Sequence, residues 1–91
     1  MRKKVKKQAV SHPGLTCSED MKVISHVQRE KDEWIINTLM IEGYDVPFKY
    51  RRKKQYQALK GARVNLTYYP DVETVASIEM EVMTVVQIRI A

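Results

Sequence analysis

Five of the six residues in Lys49-Tyr50-Arg51-Arg52-Lys53-Lys54 are basic, and Tyr56 follows two positions later. The surrounding stretch from Val46 to Pro70 holds seven Lys or Arg and no Asp or Glu. Clustered cations of this kind neutralise phosphates, and the resulting affinity falls steeply with salt. Tyrosine rings beside them offer π faces on which unpaired bases stack. The chemistry these residue types do together is therefore the binding of a polyanion rather than the making or breaking of bonds. The candidate contacts are Lys49, Arg51, Arg52, Lys53, Lys54 and Arg63, with Tyr56 and Tyr69 as stacking faces. Tyr50 and Tyr68 fall on the core side of alternating segments and are assigned to packing.

The charge is segregated. Ser25–Asp45 carries two bases against five acids, and Asp71–Ala91 one base against four acids. A basic stripe between acidic segments points to a nucleic-acid partner, or to an acidic protein that presents the same charge. No helix is expected to carry the basic residues, so RNA or another single strand suits the stripe better than duplex DNA. Basic residues also guard edge strands against unwanted pairing, and that role needs no partner.

Other chemistry finds little material. His12 and His26 lie far apart without a neighbouring cysteine, so no zinc ligand set forms. Glu79 and Glu81 share one strand face but have the look of ordinary exposed carboxylates. There is no phosphate-cradling glycine loop and no nucleophile motif. Cys17 is the only cysteine, which rules out an internal disulfide and fits a reducing compartment. The expectation is a non-enzymatic module without metal or cofactor.

These residues need elements to position them. Ser25-His26-Val27-Gln28 matches a capping box, as does Thr16-Cys17-Ser18-Glu19. Ile24, Val27, Trp34, Thr38 and Ile41 follow at helical spacing, widened by Ile35 and Leu39, and Gly43 stands at a C-terminal cap position. This predicts an amphipathic helix over about 26–42, or from 18 where the earlier box is the start, with His26 on its exposed first turn. Ile36 and Met40 make it apolar on a second side, which suggests cover by a second protomer. Three strands are expected next. Tyr44, Val46, Phe48 and Tyr50 alternate in the first, with Pro47 marking an edge or bulge. Ala62, Val64, Leu66 and Tyr68 alternate in the second, which Pro70-Asp71 ends. In the linking segment, Leu59 plugs the core and Gly61 allows tight entry to the strand, a pattern that also opens strands of small barrels. The third alternates from Ala76 to Ile90, too long for a typical strand of five to six residues, so it must bend, break or project. Met83 and Val85 make it apolar on both faces midway, a second candidate contact surface.

The chain has 91 residues, 44% hydrophobic and 30% charged, with a net charge of +5. These values describe one small globular domain. The expected organisation is a flexible basic tail over 1–20 and a single α+β domain over 21–91, a helix lying on an antiparallel three-stranded sheet. Five of residues 2–7 are basic, like the start of a signal peptide, but no apolar core follows, and no stretch approaches the roughly 20 apolar residues of a membrane span. A cytoplasmic protein is expected. Its expected function is a small nucleic-acid-binding module. The alternative is a homo-oligomeric interaction domain with no nucleic-acid role, a homodimer through the helix and the Met83/Val85 patch.

Overall fold

Residues 16 to 41 form a hairpin, not a helix. The computed structural model describes residues 14–91, so the first thirteen residues of the expected tail, His12 among them, lie outside the described residues. Strand β1 runs from Thr16 to Lys31 and β2 from Trp34 to Ile41. β1 thus begins within the segment expected to be tail. The helical spacing from Ile24 to Ile41 was a coincidence of two strands joined by a polar turn. Trp34-Ile35-Ile36-Asn37-Thr38-Leu39-Met40-Ile41 is rich in β-branched and aromatic residues, which favour a pleated surface. Its second apolar side is the outer face of a strand. Asn37, Leu39 and Ile41 are buried, while Trp34, Ile36, Thr38 and Met40 are only half-buried. Gly43 is left-handed as expected (φ 90°) but turns the chain after a strand, where the Tyr44 N–H donates to the Ile41 carbonyl.

The expected α+β fold is thereby replaced by an all-β one. Strands β3 (Phe48–Arg52), β4 (Arg63–Val75) and β5 (Ile78–Ile90) complete a closed barrel in the order β1-β2-β3-β5-β4. All neighbours pair antiparallel except β3 and β5, which close the barrel in parallel through Phe48↔Met83 and Lys49↔Thr84. This is a five-stranded Greek-key barrel of the OB type. β1 serves two neighbours: Thr16–Lys22 pairs with β4 and Val23–Lys31 with β2. Its register shifts between Ser18 and Met21 and again between Val23 and Ser25. Such bulges sharpen the bend a strand needs to turn a barrel corner. The first is held from β4: the Asp20 N–H donates to Asn65 Oδ1 at 2.9 Å, and Arg63 Nη1 donates to the Asp20 carbonyl at 3.1 Å.

The core is the barrel interior. Val23, Leu39, Ile41, Phe48 and Val64 are at most 1% exposed, joined by Met21, Leu66, Tyr68 and Val85. Phe48 meets the rings of Tyr44 and Tyr68 edge-on, with centroids 5.2 and 4.9 Å apart. Tyr68 and Tyr50 pack toward the core as expected, and Leu59 packs against it from the β3–β4 link. Gly61 holds a φ of 88° there.

Val85 also belongs to this core, and Met83 packs against it. The register of β4 with β5 slips between Thr67 and Tyr68, which inserts one residue into β5 and reverses its alternation. The double-sided apolar stretch is therefore a phase change inside one strand. Of the surfaces expected for a homodimer, the helix does not form and Val85 lies inside the barrel.

Pro70 does not end β4. β1 leaves β4 at Tyr68, so beyond that point a proline lacking an N–H faces an unpaired edge, where it costs no ladder bond. β4 and β5 then continue past the barrel to a tight turn at Ala76-Ser77, so of bending, breaking and projecting, the last long run projects, with a bulge inside it. The long axis of 42 Å against 29 and 27 Å reflects it.

Both hairpin turns put non-glycine residues at positive φ: Asp32 and Glu33 at 52° and 70°, Ala76 and Ser77 at 52° and 69°. That is the left-handed pair of a type I′ turn, for which Asp-Gly or Asn-Gly is favoured. Glu33 bears a left-handed penalty of roughly 1–2 kcal/mol that glycine would not. Glu33→Gly is expected to stabilise the protein by about 0.5–1 kcal/mol after the entropy of glycine is counted, raising Tm by a few degrees. A lower Tm in thermal denaturation would contradict the left-handed turn.

Candidate functional site

Strand alternation sends every second residue of β1, β2 and β3 to the barrel's outside. On β2 these are Trp34, Ile36, Thr38 and Met40. Cross-strand rows join them to their neighbours: Lys31 beside Trp34, then Arg29–Ile36–Arg51, then Val27–Thr38–Lys49. The result is an apolar strip on β2 flanked by bases on both sides. Lys53, just past β3, joins the same face, with Nζ 4.2 Å from the centroid of a Trp34 ring; the Arg51 guanidinium carbon lies 4.8 Å away. A cation over a partly exposed indole contributes about 0.5–1 kcal/mol, enough to hold these side chains near the strip.

The expected ridge is divided by this geometry. Lys49, Arg51 and Lys53 reach the outer face. Lys49 is already engaged there: its Nζ donates to Glu73 Oε1 at 2.6 Å, with both side chains partly exposed (29% and 41%). Arg52 points the other way, into the barrel mouth, between the rings of Tyr50 (5.5 Å) and Tyr56 (5.3 Å). Lys54 is exposed in the link. Tyr56 is exposed too, but its backbone is clamped on both sides by the Gln28 amide: Nε2 donates to the Tyr56 carbonyl at 2.8 Å and Oε1 accepts the Tyr56 N–H at 3.3 Å. Arg63 lies on the β1–β4 side, bonded to the Asp20 carbonyl and 3.6 Å from its carboxylate. It supports a bulge, far around the barrel from β2. Tyr69 is half-buried on β4 opposite Thr84, which in turn pairs with Lys49. It therefore lies two strands from Lys49 along one outer row.

Arg29, Lys31, Trp34 and Ile36 were missed as site residues because they were assigned to a helix. The signal that would have found them is the two-sided alternation of Trp34, Ile36, Thr38 and Met40 against Ile35, Asn37, Leu39 and Ile41. Negative charge bounds the face at one end, where Asp32 and Glu33 form the turn.

The barrel mouth is a second place where polar groups converge. His26, Asn37, Tyr50, Arg52, Tyr56 and Leu59 line an open pocket of about 160 Å³. Ligand pockets typically run to about 300–1,000 Å³, so this one is small. His26 is not the exposed first-turn residue expected of it. The Leu59 N–H donates to its Nδ1 at 2.8 Å, so the ring proton sits on Nε2, which donates to Asn37 Oδ1 at 2.8 Å. Asn37, 2% exposed, passes the chain on from Nδ2 to the Ile35 carbonyl at 3.2 Å. Both imidazole nitrogens are thus used in tying the β3–β4 link to β1 and β2. Burial raises the Tyr50 phenol above its ordinary range, with the Arg52 charge pulling weakly the other way, so it stays a neutral hydroxyl. Burial raises Tyr68 likewise, opposed by its 2.8 Å hydrogen bond with Ser18.

Removing the imidazole leaves the Asn37 amide oxygen and the Leu59 N–H without partners. His26→Ala is expected to cost about 2–3 kcal/mol, since a buried unsatisfied group costs roughly 1–3 kcal/mol and two are created at a half-buried site. Urea denaturation measures this. A loss under 1 kcal/mol would mean that water replaces the imidazole without penalty.

No group of three or more His, Cys, Asp or Glu among the described residues is placed to hold a metal ion. No helix among them is long and apolar enough to cross a membrane. No protein-family model, curated protein or solved structure matches this chain.

Proposed function

We propose that the chain is a small module that binds single-stranded nucleic acid, RNA before duplex DNA, on the outer face of β1–β2–β3. One observation carries this: Trp34 on an apolar strip with Arg29 and Lys31 along one side and Arg51 and Lys53 along the other. A single strand needs charge for its backbone and flat rings for its bases, and this face offers both within a few ångströms. A duplex read in its major groove calls for an inserted helix or ribbon, and the basic residues lie on a broad sheet face. The five-stranded barrel adds support by analogy of fold alone, since OB-type barrels bind oligonucleotides on the face of their second and third strands. Lys49, tied to Glu73, and Arg63, tied to Asp20, are removed from the contact set; Arg52 and Tyr56 are reachable only at the barrel mouth.

Trp34 is the chain's one tryptophan, which makes the test direct. Titration with short oligouridine or single-stranded DNA should quench its fluorescence, and salt should restore it. Amide shifts should fall on residues 27–38 and 49–53. Polyglutamate, standing in for an acidic protein, should bind without quenching. Duplex DNA should bind more weakly than either single strand. Absence of quenching and of amide shifts with every oligonucleotide would overturn the proposal. Equal response to polyglutamate would transfer the face to an acidic protein partner.

A further inference from the structure

Past the barrel, β4 and β5 have only each other. β1 leaves β4 at Tyr68 and β3 joins β5 no earlier than Met83, so from Asp71 to Val82 the strands form a two-stranded ribbon with no third strand beside it, Val82 buried at its root. Five residues a side at about 3.4 Å each make an arm of roughly 17 Å. An isolated hairpin of this kind is marginally stable in water and leaves both edges open. Here it also exposes Val72, Val75, Ile78 and Met80, each between 49% and 64% accessible. The same segment carries Asp71, Glu73, Glu79 and Glu81 and no base. The register puts Val75, Ile78 and Met80 on one face of the ribbon and Val72, Glu79 and Glu81 on the other. An apolar face on a protruding arm is the signature of a surface that becomes covered.

We infer that the arm docks on the β1–β2–β3 face of a second copy of this chain. Two independent complementarities select that occupant. One face of the arm is apolar and the arm as a whole carries four acids and no base, while the β1–β2–β3 face is apolar along β2 and carries Arg29, Lys31, Arg51 and Lys53 beside it. Opposite net charge draws the two together, whereas arm-to-arm association brings together two segments of four acids each. The molecule's own face receives only the root of its arm, through Lys49 and Glu73, and Val75, Ile78 and Met80 remain exposed. The contact joins two different patches, so it closes as a reciprocal dimer or propagates as a chain. It does not rest on nucleic-acid binding, but it occupies the same face, so a single strand and a second copy compete.

The test is complementation. One variant disables the arm (Ile78→Asp with Met80→Asp), the other the face (Arg51→Glu with Lys53→Glu). All four positions lie outside the core, and circular dichroism checks each fold. Sedimentation velocity should show wild-type protein associating with rising concentration, less so in high salt. Each variant alone should stay monomeric. Their equimolar mixture should form a one-to-one dimer, because the first supplies an intact face and the second an intact arm. A wild type that is monomeric at every concentration, an arm variant that still associates, or a mixture that stays monomeric each overturns the inference. The arm variant should keep full oligonucleotide affinity. Loss of self-association with binding intact thus separates this inference from the proposed function, as does binding by a protein that never associates.

Discussion

Trp34→Ala is expected to weaken binding of a short oligouridine by about 1–3 kcal/mol, roughly 5- to 150-fold, which is what removal of one stacked base platform costs. The loss should come without a change in salt dependence, because the indole neutralises no phosphate. Arg51→Gln with Lys53→Gln should do the reverse in part. The slope of log affinity against log salt should fall by about 1.4, at roughly 0.7 for each phosphate of a single strand that is no longer neutralised. Trp34→Phe keeps a ring and should recover much of the affinity. Each change lies on a partly exposed face outside the barrel interior, so Tm should move little. The combination matters because Arg51 and Lys53 stand over the Trp34 rings. Were Trp34 only a post that orders two cations, its loss would resemble theirs, with the slope reduced as well. Fluorescence anisotropy at several salt concentrations separates the two outcomes. An unchanged affinity in Trp34→Ala would remove the β2 strip from the site altogether.

Residue types made the basic stripe legible; its geometry was hidden by strand alternation and by the turns. Arg51, Arg52 and Lys53 are consecutive, so the barrel sends Arg52 inward and its neighbours out. Half of the usable face lies on β1 and β2, whose period-two signal is broken at the Ile24 bulge and again at Asp32-Glu33, a turn with no glycine to announce it. What survived those breaks mimicked a helical stripe. By contrast, Ala62 to Tyr68 keeps strict alternation, and there the inward residues Val64, Leu66 and Tyr68 were legible from the chain alone. The phase change in β5 has a similar lesson. Met83 and Val85 were apolar on what counted as the polar side because one inserted residue had exchanged the sides. Nothing local to Arg63 distinguishes it from Lys53, yet long-range pairing of β1 with β4 gives it to the Asp20 bulge. The charge itself is a sequence property; the side of the molecule it reaches is a property of register.

Phe48→Ala is expected to cost about 3–5 kcal/mol, the range for deleting a fully buried aromatic ring. Phe48 is inaccessible to solvent and stands at the closure of the barrel. Its strand position pairs with Leu39 on one side and Met83 on the other, and its ring touches both Tyr44 and Tyr68. β3 and β5 share only two paired positions, so the seam depends on side-chain packing more than on ladder bonds. A chain of this size has about 5–10 kcal/mol of total stability. The substitution therefore removes much of it and should leave the protein marginal or unfolded at 37 °C. Phe48→Leu keeps most of the volume and should lose nearer 1–2 kcal/mol. Lys49→Ala, one residue on but on the outer face, gives up a partly exposed ion pair and should cost under 1 kcal/mol. Urea denaturation of the three variants ranks these losses. If Lys49→Ala proved as damaging as Phe48→Ala, the root of the arm, and not the aromatic cluster, would be what holds the β3–β5 seam closed.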